Sequence, residues 1–215
     1  MTGRIVQDGP EGRLEAIAVL RAGGIVGLPT DTVYGIAVAL STPGGIERLF
    51  EIKGRPLDKG IVLLLDDATQ AARTGLMTPA AAALAAAAWP GGLTVIVRQR
   101  HDVPWPSSLT GGTETIGLRI PDHDAPRTLA RSLGPLPTTS ANISGLPEAT
   151  DAAGILDQLG DAIDLVLDGG PARDGPPSTV VDCTGAEPVI TRDGAVPLTE
   201  VAAILDRAGV EHSLG

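Results

Sequence analysis

Two short strings gather the residue types that can neutralise an anion. In "IKGRPLDKG" (52–60), Lys53, Arg55 and Lys59 crowd into one turn of a chain with 26 acidic and 16 basic residues and a net charge of -10. In "PTTSANISG" (137–145) stand Thr138, Thr139, Ser140, Asn142 and Ser144. Arginine offers phosphate oxygens a two-pronged fork and lysine a mobile point charge. Hydroxyls and exposed backbone N–H groups suit phosphate oxygens or a metal-bound water. A triphosphate needs several such groups, because charge develops at both the reacting and the leaving phosphates. Each string also has a plainer explanation. Cations at a helix C-terminus complement its dipole, and an Asn/Ser/Gly string is an ordinary turn.

Four further places carry polar groups next to apolar runs. "LPTDTVYG" (28–35) ends a strand at Pro29 and follows it with Thr32 and Tyr34. Strand ends are where α/β sheets place ligands, although a lone Tyr equally packs in a core with its hydroxyl satisfied. In "TIGLRIP", Thr115 and Arg119 project from the same face of an extended strand because their spacing is even. An Arg in an apolar strand needs an anionic partner, either a structural carboxylate or a substrate carboxylate. Ser178 in "PPSTVVD" and Arg192 before Asp193-Gly194 complete the set. Neither common phosphate-binding glycine loop is present. The three His residues are scattered, and the single Cys, Cys183, excludes an internal disulfide.

The elements that must position these groups alternate in type. Helices are expected over "EGRLEAIAVLRAGG", with Leu14, Ile17 and Ala18 on one face, and over "TPGGIERLFEIK", with Thr42 as cap and Ile46, Leu49 and Phe50 inward. Further helices are expected in "PAAAALAAAAW", "PRTLARSLG", "TDAAGILDQLG" and "TEVAAILDRAG". Strands are expected in "GIVGLP", "YGIAVAL", "IVLLL" (central), "LTVIVRQ", "TIGLRI", "IDLVLDGG", "TVVDCTG" and "PVITRDG". "DGGPARDGPPS" (168–178) reads as a loop within one domain. This alternation gives an α/β fold with a twisted mixed sheet flanked by helices.

The bulk numbers set limits. Hydrophobic residues make up 43% of the chain, ample for a core, but aromatic residues only 2%, so Leu, Val, Ile and Ala must fill it. The acidic balance argues against a protein that coats nucleic acid, since such binding rests on many Lys and Arg contacts. No run reaches bilayer-spanning length and no signal-peptide core is visible, so a cytoplasmic protein is expected.

Taken together, "PTDTVYG", "KGRP", "WPGGLTVIV", "TIGLRIPDH", "SANISG", "STVVD" and "TRDGA" resemble the YrdC/TsaC family of L-threonylcarbamoyladenylate synthases, from about residue 12 to about residue 197. The resemblance implies one YrdC-like domain over 1–215, with a closing helix and short tail and one concave ligand groove. It implies that L-threonine, bicarbonate and ATP give threonylcarbamoyl-AMP and pyrophosphate. A separate transferase would then use that product to modify tRNA beside the anticodon. Mg²⁺ would accompany ATP, direct RNA binding would be weak or absent, and the protein would be a monomer or homodimer. By position, Lys53, Arg55, Ser140 and Asn142 match the K-x-R and S-x-N residues that hold phosphates. Lys59, Thr115 and Arg192 match further nucleotide contacts. Thr32, Tyr34, Arg119, Thr138 and Ser178 match the threonine side. The chain departs from the longer family pattern at Lys59, Leu64 and Glu148. Two other readings compete: a YciO-like nucleotide- or RNA-binding protein, and a hydrogenase-maturation carbamoyltransferase, whose chains are longer and richer in cysteine.

Overall fold

Along the chain run β1 (Arg4–Gln7), α1 (Pro10–Arg21), β2 (Val26–Leu28), β3 (Gly35–Ala37), α2 (Gly45–Lys53), β4 (Val62–Leu64), α3 (Ala68–Thr74), β5 (Gly75–Leu76), α4 (Pro79–Ala88) and β6 (Leu93–Gln99). There follow α5 (Ser107–Thr110), β7 (Thr115–Arg119), α6 (Asp124–Leu133), β8 (Leu136–Ser140), α7 (Ala152–Leu159), β9 (Leu165–Asp168), β10 (Thr179–Asp182), β11 (Val189–Arg192) and α8 (Leu198–Arg207). This computed structural model describes residues 3–173 and 175–213. Asp174, inside the loop expected over 168–178, and the last two residues of the expected tail lie outside the described residues.

The helix starts follow local chemistry. Asp67 caps α3 and Asp151 caps α7, each side chain accepting an N–H of the first turn. Thr78 caps α4 ahead of Pro79. Two expectations need correction. In α1 the buried face is Ala16, Ile17 and Leu20, while Leu14 and Ala18 are exposed. The cap of α2 is Gly44, in the left-handed region at φ 67°, not Thr42. Ile46, Leu49 and Phe50 do face inward.

The strands form one 11-stranded mixed sheet in the order β1-β9-β2-β3-β8-β4-β7-β6-β10-β11, with β5 paired to β6. As the "IVLLL" string suggests, β4 is interior, antiparallel to β8 and parallel to β7. One face of the sheet packs on α2, α4, α7 and α8. Leu63, Val95, Val97, Ile116, Leu118 and Val181 supply its side of that core. On the opposite face α1 and α6 cover β9, β2 and β8, burying Ala16, Leu20 and Leu129 against Val26, Leu136, Leu165 and Leu167. Farther along that face Val62, Thr94, Ile96, Gly117 and Val180 line a groove. The period-two alternation of strands separates the two sets. Ile116 and Leu118 go into the core, while Thr115, Gly117 and Arg119 go into the groove. Among the described residues no helix is long and apolar enough to cross a membrane.

Candidate functional site

The groove has a volume of about 360 Å³, within the usual range for a small-molecule site. Its floor is the apolar and glycine surface of β4, β6, β7 and β10. Its walls come from the β2–β3 connection, the turn after α2, the end of β8 and the β10–β11 hairpin.

Arg55, Arg119 and Arg192 all line it. The Arg119 side chain is held from three directions. Nε donates to Gly91 O at 3.0 Å, Nη1 to Thr32 Oγ1 at 2.9 Å, and Nη2 to Asp31 Oδ1 at 2.7 Å. Asp31 is therefore the structural carboxylate that a buried Arg requires, and both side chains are nearly inaccessible. Burial lowers the Arg119 pKa, and Asp31 offsets only part of that. Arg192 clasps Ser178, with Nε on its carbonyl at 2.8 Å and Nη2 on its hydroxyl at 2.9 Å, and Ser178 Oγ meets Thr94 Oγ1 at 2.8 Å. Arg55 lies over the Phe50 ring, with Nη2 donating to Gly60 O and Nη1 to Thr139 Oγ1. Its buried Nε has no partner among the described residues. Burial and then the neighbouring Arg192 lower its pKa. Asp58, which also lines the groove, opposes both influences.

The other expected residues divide. Thr32, Tyr34, Thr115, Thr138, Ser140 and Ser178 line the groove with the three arginines. The Tyr34 hydroxyl is committed elsewhere, donating to Gly170 O at 2.6 Å and accepting from Gly169 N at 3.0 Å. Its wall is therefore ring and backbone, and burial drives its pKa up to about 12. Lys53 and Asn142 are buried but do not line the groove, and Lys59 is exposed outside it. Lys53 Nζ donates to Ser140 O at 2.5 Å, Asn142 O at 2.6 Å and Asn142 Oδ1 at 2.9 Å. Leu64 is part of the floor, and Glu148 lines the wall, where its charge only partly offsets the burial that lowers the Arg192 pKa and, together with the Arg55 charge, brings the Lys53 pKa down to about 8.

Asp31 was missed from sequence, although the need of Arg119 for a carboxylate was legible and Asp31 stands in the "PTDTVYG" string. Thr94, Thr110 and Thr113 were also missed, and they too line the groove. Among the described residues no group of three or more His, Cys, Asp or Glu could hold a metal. Cys183 is buried, with a thiol pKa pushed up to about 12 by burial. It lies outside the groove.

Comparisons with known proteins converge. The family model Sua5_yciO_yrdC, described as "Telomere recombination", matches residues 18–194. A threonylcarbamoyl-AMP synthase of Bacillus subtilis is 34% identical over 202 residues, 93% of this chain and 58% of that protein. A putative threonylcarbamoyl-AMP synthase of Mycobacterium tuberculosis is 36% identical over 195 residues, covering 90% of this chain and 89% of its own. This chain thus spans less than three fifths of the Bacillus protein and of a Pyrococcus abyssi relative, 58% and 56%, but most of the mycobacterial one. The crystal structure of P. abyssi Sua5 complexed with L-threonine superposes with a TM-score of 0.87 at 31% identity, over 98% of this chain and 61% of that one. Escherichia coli YciO gives 0.79 at 28%, over 89% of this chain and 95% of that one. The chain belongs to the Sua5/YciO/YrdC family and is homologous to threonylcarbamoyl-AMP synthases.

Proposed function

We propose that the groove is the active site of an L-threonylcarbamoyladenylate synthase. In this reading the amine of L-threonine and bicarbonate form N-carboxythreonine with loss of water. A carbamate oxygen attacks the α-phosphorus of ATP, the bond to the β-phosphate breaks, and pyrophosphate leaves. The product would pass to a transferase that modifies tRNA. The observation that carries the reading is the convergence of Arg55, Arg119 and Arg192 on one hydroxyl-lined groove of a chain with net charge -10.

Arg55, which lines the groove, presents its charge to the phosphates, and Arg192, Thr115 and Ser140 share the nucleotide side. Arg119, with Thr32, Thr138 and Ser178, forms the threonine side, and Tyr34 closes its wall. Arg119 has five N–H donors, so the three contacts described leave it two for a carboxylate. No residue need be covalently modified. Rate comes from positioning and from charge stabilisation at the leaving phosphates. Mg²⁺ enters as part of the substrate, with Glu148 and Asp58 as the groove's own carboxylates.

The test is pyrophosphate release with MgATP and bicarbonate, with and without L-threonine, and the mass of the nucleotide product. Threonine-dependent release and a threonylcarbamoyl-AMP mass are expected, with Arg55→Ala slower by roughly 10²–10³. Nucleotide binding without threonine-dependent release would overturn the reading. It would favour a YciO-like role, to which the 95% coverage of the E. coli YciO chain gives support.

A further inference from the structure

We infer that Lys53 and Asn142 are positioning residues that lock the 140–146 loop and set Ser140, and that they do not themselves touch phosphate. Lys53 is the last residue of α2, and Gly54 follows in the left-handed region at φ 59°. That reversal sends Lys53 and Arg55 to opposite sides of the turn. Arg55 lines the groove, while Lys53 is 3% exposed and sits behind it.

The hydrogen bonds behind the groove are saturated. An ammonium has three protons. Three oxygens lie within 2.9 Å of Lys53 Nζ, all from Ser140 and Asn142. At the other end of the same residue, Lys53 O accepts from Ser144 N at 2.9 Å. Asn142 is equally committed. Its Oδ1 accepts from Lys53 and from Ser140 Oγ at 2.6 Å, and its Nδ2 donates to Ile143 O at 3.1 Å and Leu146 O at 2.6 Å. Reaching a phosphate would require either residue to abandon buried partners, a costly exchange at low local dielectric. Ser140 is the member of the cluster that lines the groove. Its proton goes to Asn142, so the lock fixes both the place of its oxygen and the direction of its lone pairs. The K-x-R and S-x-N pairs thus each divide into one groove residue and one anchor.

The kinetic part of the test rests on the ATP reading above; the exchange part does not. Hydrogen exchange on the nucleotide-free protein should be faster across 140–146 by about tenfold or more in Lys53→Met and in Asn142→Ala. The double variant should add little, because the two share one network. In turnover, kcat should fall by roughly a hundredfold. The loss of ATP affinity in Lys53→Met should not exceed that in Ser140→Ala, and adding Lys53→Met to Ser140→Ala should cost little more. Unchanged loop exchange, or a further affinity loss in the Ser140→Ala background that grows with the number of phosphates from adenosine to AMP to ATP, would overturn the assignment and make Lys53 a phosphate ligand. Asn142→Ala retains the backbone acceptors of the ammonium and carries the test if Lys53→Met does not fold. If the wild type binds no nucleotide, the ATP reading fails and the exchange comparison decides the lock.

Discussion

One face of the sheet is divided into two halves that share a backbone geometry and differ in what projects from it. Over β9, β2 and β8, Leu165, Leu167, Val26 and Leu136 meet α1 and α6 and are sealed. Over β7, β6 and β10 the equivalent positions hold Thr115, Gly117, Arg119, Thr94 and Val180, and the face is a groove. A row of Leu and Val recruits an amphipathic helix, because burying it is worth about 25 cal/mol per Å². A row of hydroxyls, a glycine and an Arg gives a helix little to bury, and its polar groups need partners that a small anion can supply. The same alternation therefore makes core in one half and site in the other.

The Arg119–Asp31 pair tests this division most severely, since both members are buried like core while Arg119 lines the groove like a ligand contact. Asp31→Ala leaves the Arg119 charge uncompensated and should cost about 3–5 kcal/mol of unfolding free energy. Urea denaturation reads that directly. The double variant Asp31→Leu with Arg119→Met should regain most of the loss, yet remain unable to bind threonine. A single-variant cost under about 0.5 kcal/mol, typical of a surface change, would show the pair to be solvated and the groove more open than described.

A matched pair of substitutions sharpens the contrast at smaller size. Leu129→Ala, on the buried face of α6 in the sealed half, should cost about 2–5 kcal/mol of stability and leave the KM for ATP unchanged. Gly117→Ala in the floor should do the reverse. A Cβ there would meet Val62 Cγ2 at 3.5 Å and Thr94 Cγ2 at 3.6 Å, ordinary contacts that the fold tolerates, while the methyl takes space from the groove. Its urea midpoint should stay within that of about a 1 kcal/mol change, with ligand affinity reduced severalfold. Equal effects of both variants on stability and binding would erase the distinction between the halves.

The two halves were not equally legible in the sequence. Strands that face core on one side read clearly. "LTVIVRQ" became β6 over Leu93–Gln99, and the even spacing of Thr115 and Arg119 placed both in the groove. In contrast, β8 was read only as a polar string. Its Thr138 and Ser140 face the groove, so the apolar alternation that marks a strand is missing. Short β1 and β5 and the polar helix α3 were passed over for the same lack of pattern. In α1 the sequence offers more than one apolar stripe, and only packing against β9 and β2 chose Ala16, Ile17 and Leu20 over Leu14. The motif strings brought the right residues together. They could not say that Lys53 and Arg55 part ways at Gly54, because that depends on one backbone angle.

The smallest expected effect lies at the hinge between the halves, where β7 leaves the groove and α6 begins to seal its neighbour. His123 caps α6 with Nδ1, which accepts from Ala125 N at 3.1 Å. Only a neutral imidazole can accept there. Burial, the largest influence, lowers the His123 pKa below the ordinary 6.5, with Arg13 acting the same way and Asp8, Asp124 and Asp31 opposing. The unfolded chain therefore takes up a proton near pH 6.5 while the folded chain resists it. The stabilisation is fully present above that pH and is lost as pH falls below it toward the lower folded value. A side-chain cap is worth about 1 kcal/mol, so the urea midpoint should decline between pH 7.5 and 5.5 by an amount on that scale. His123→Asn keeps a cap acceptor and removes the titration, so it should flatten this part of the decline. An identical acid slope in the variant would mean that other groups carry the pH dependence and that the seal over the closed half does not depend on the charge of His123.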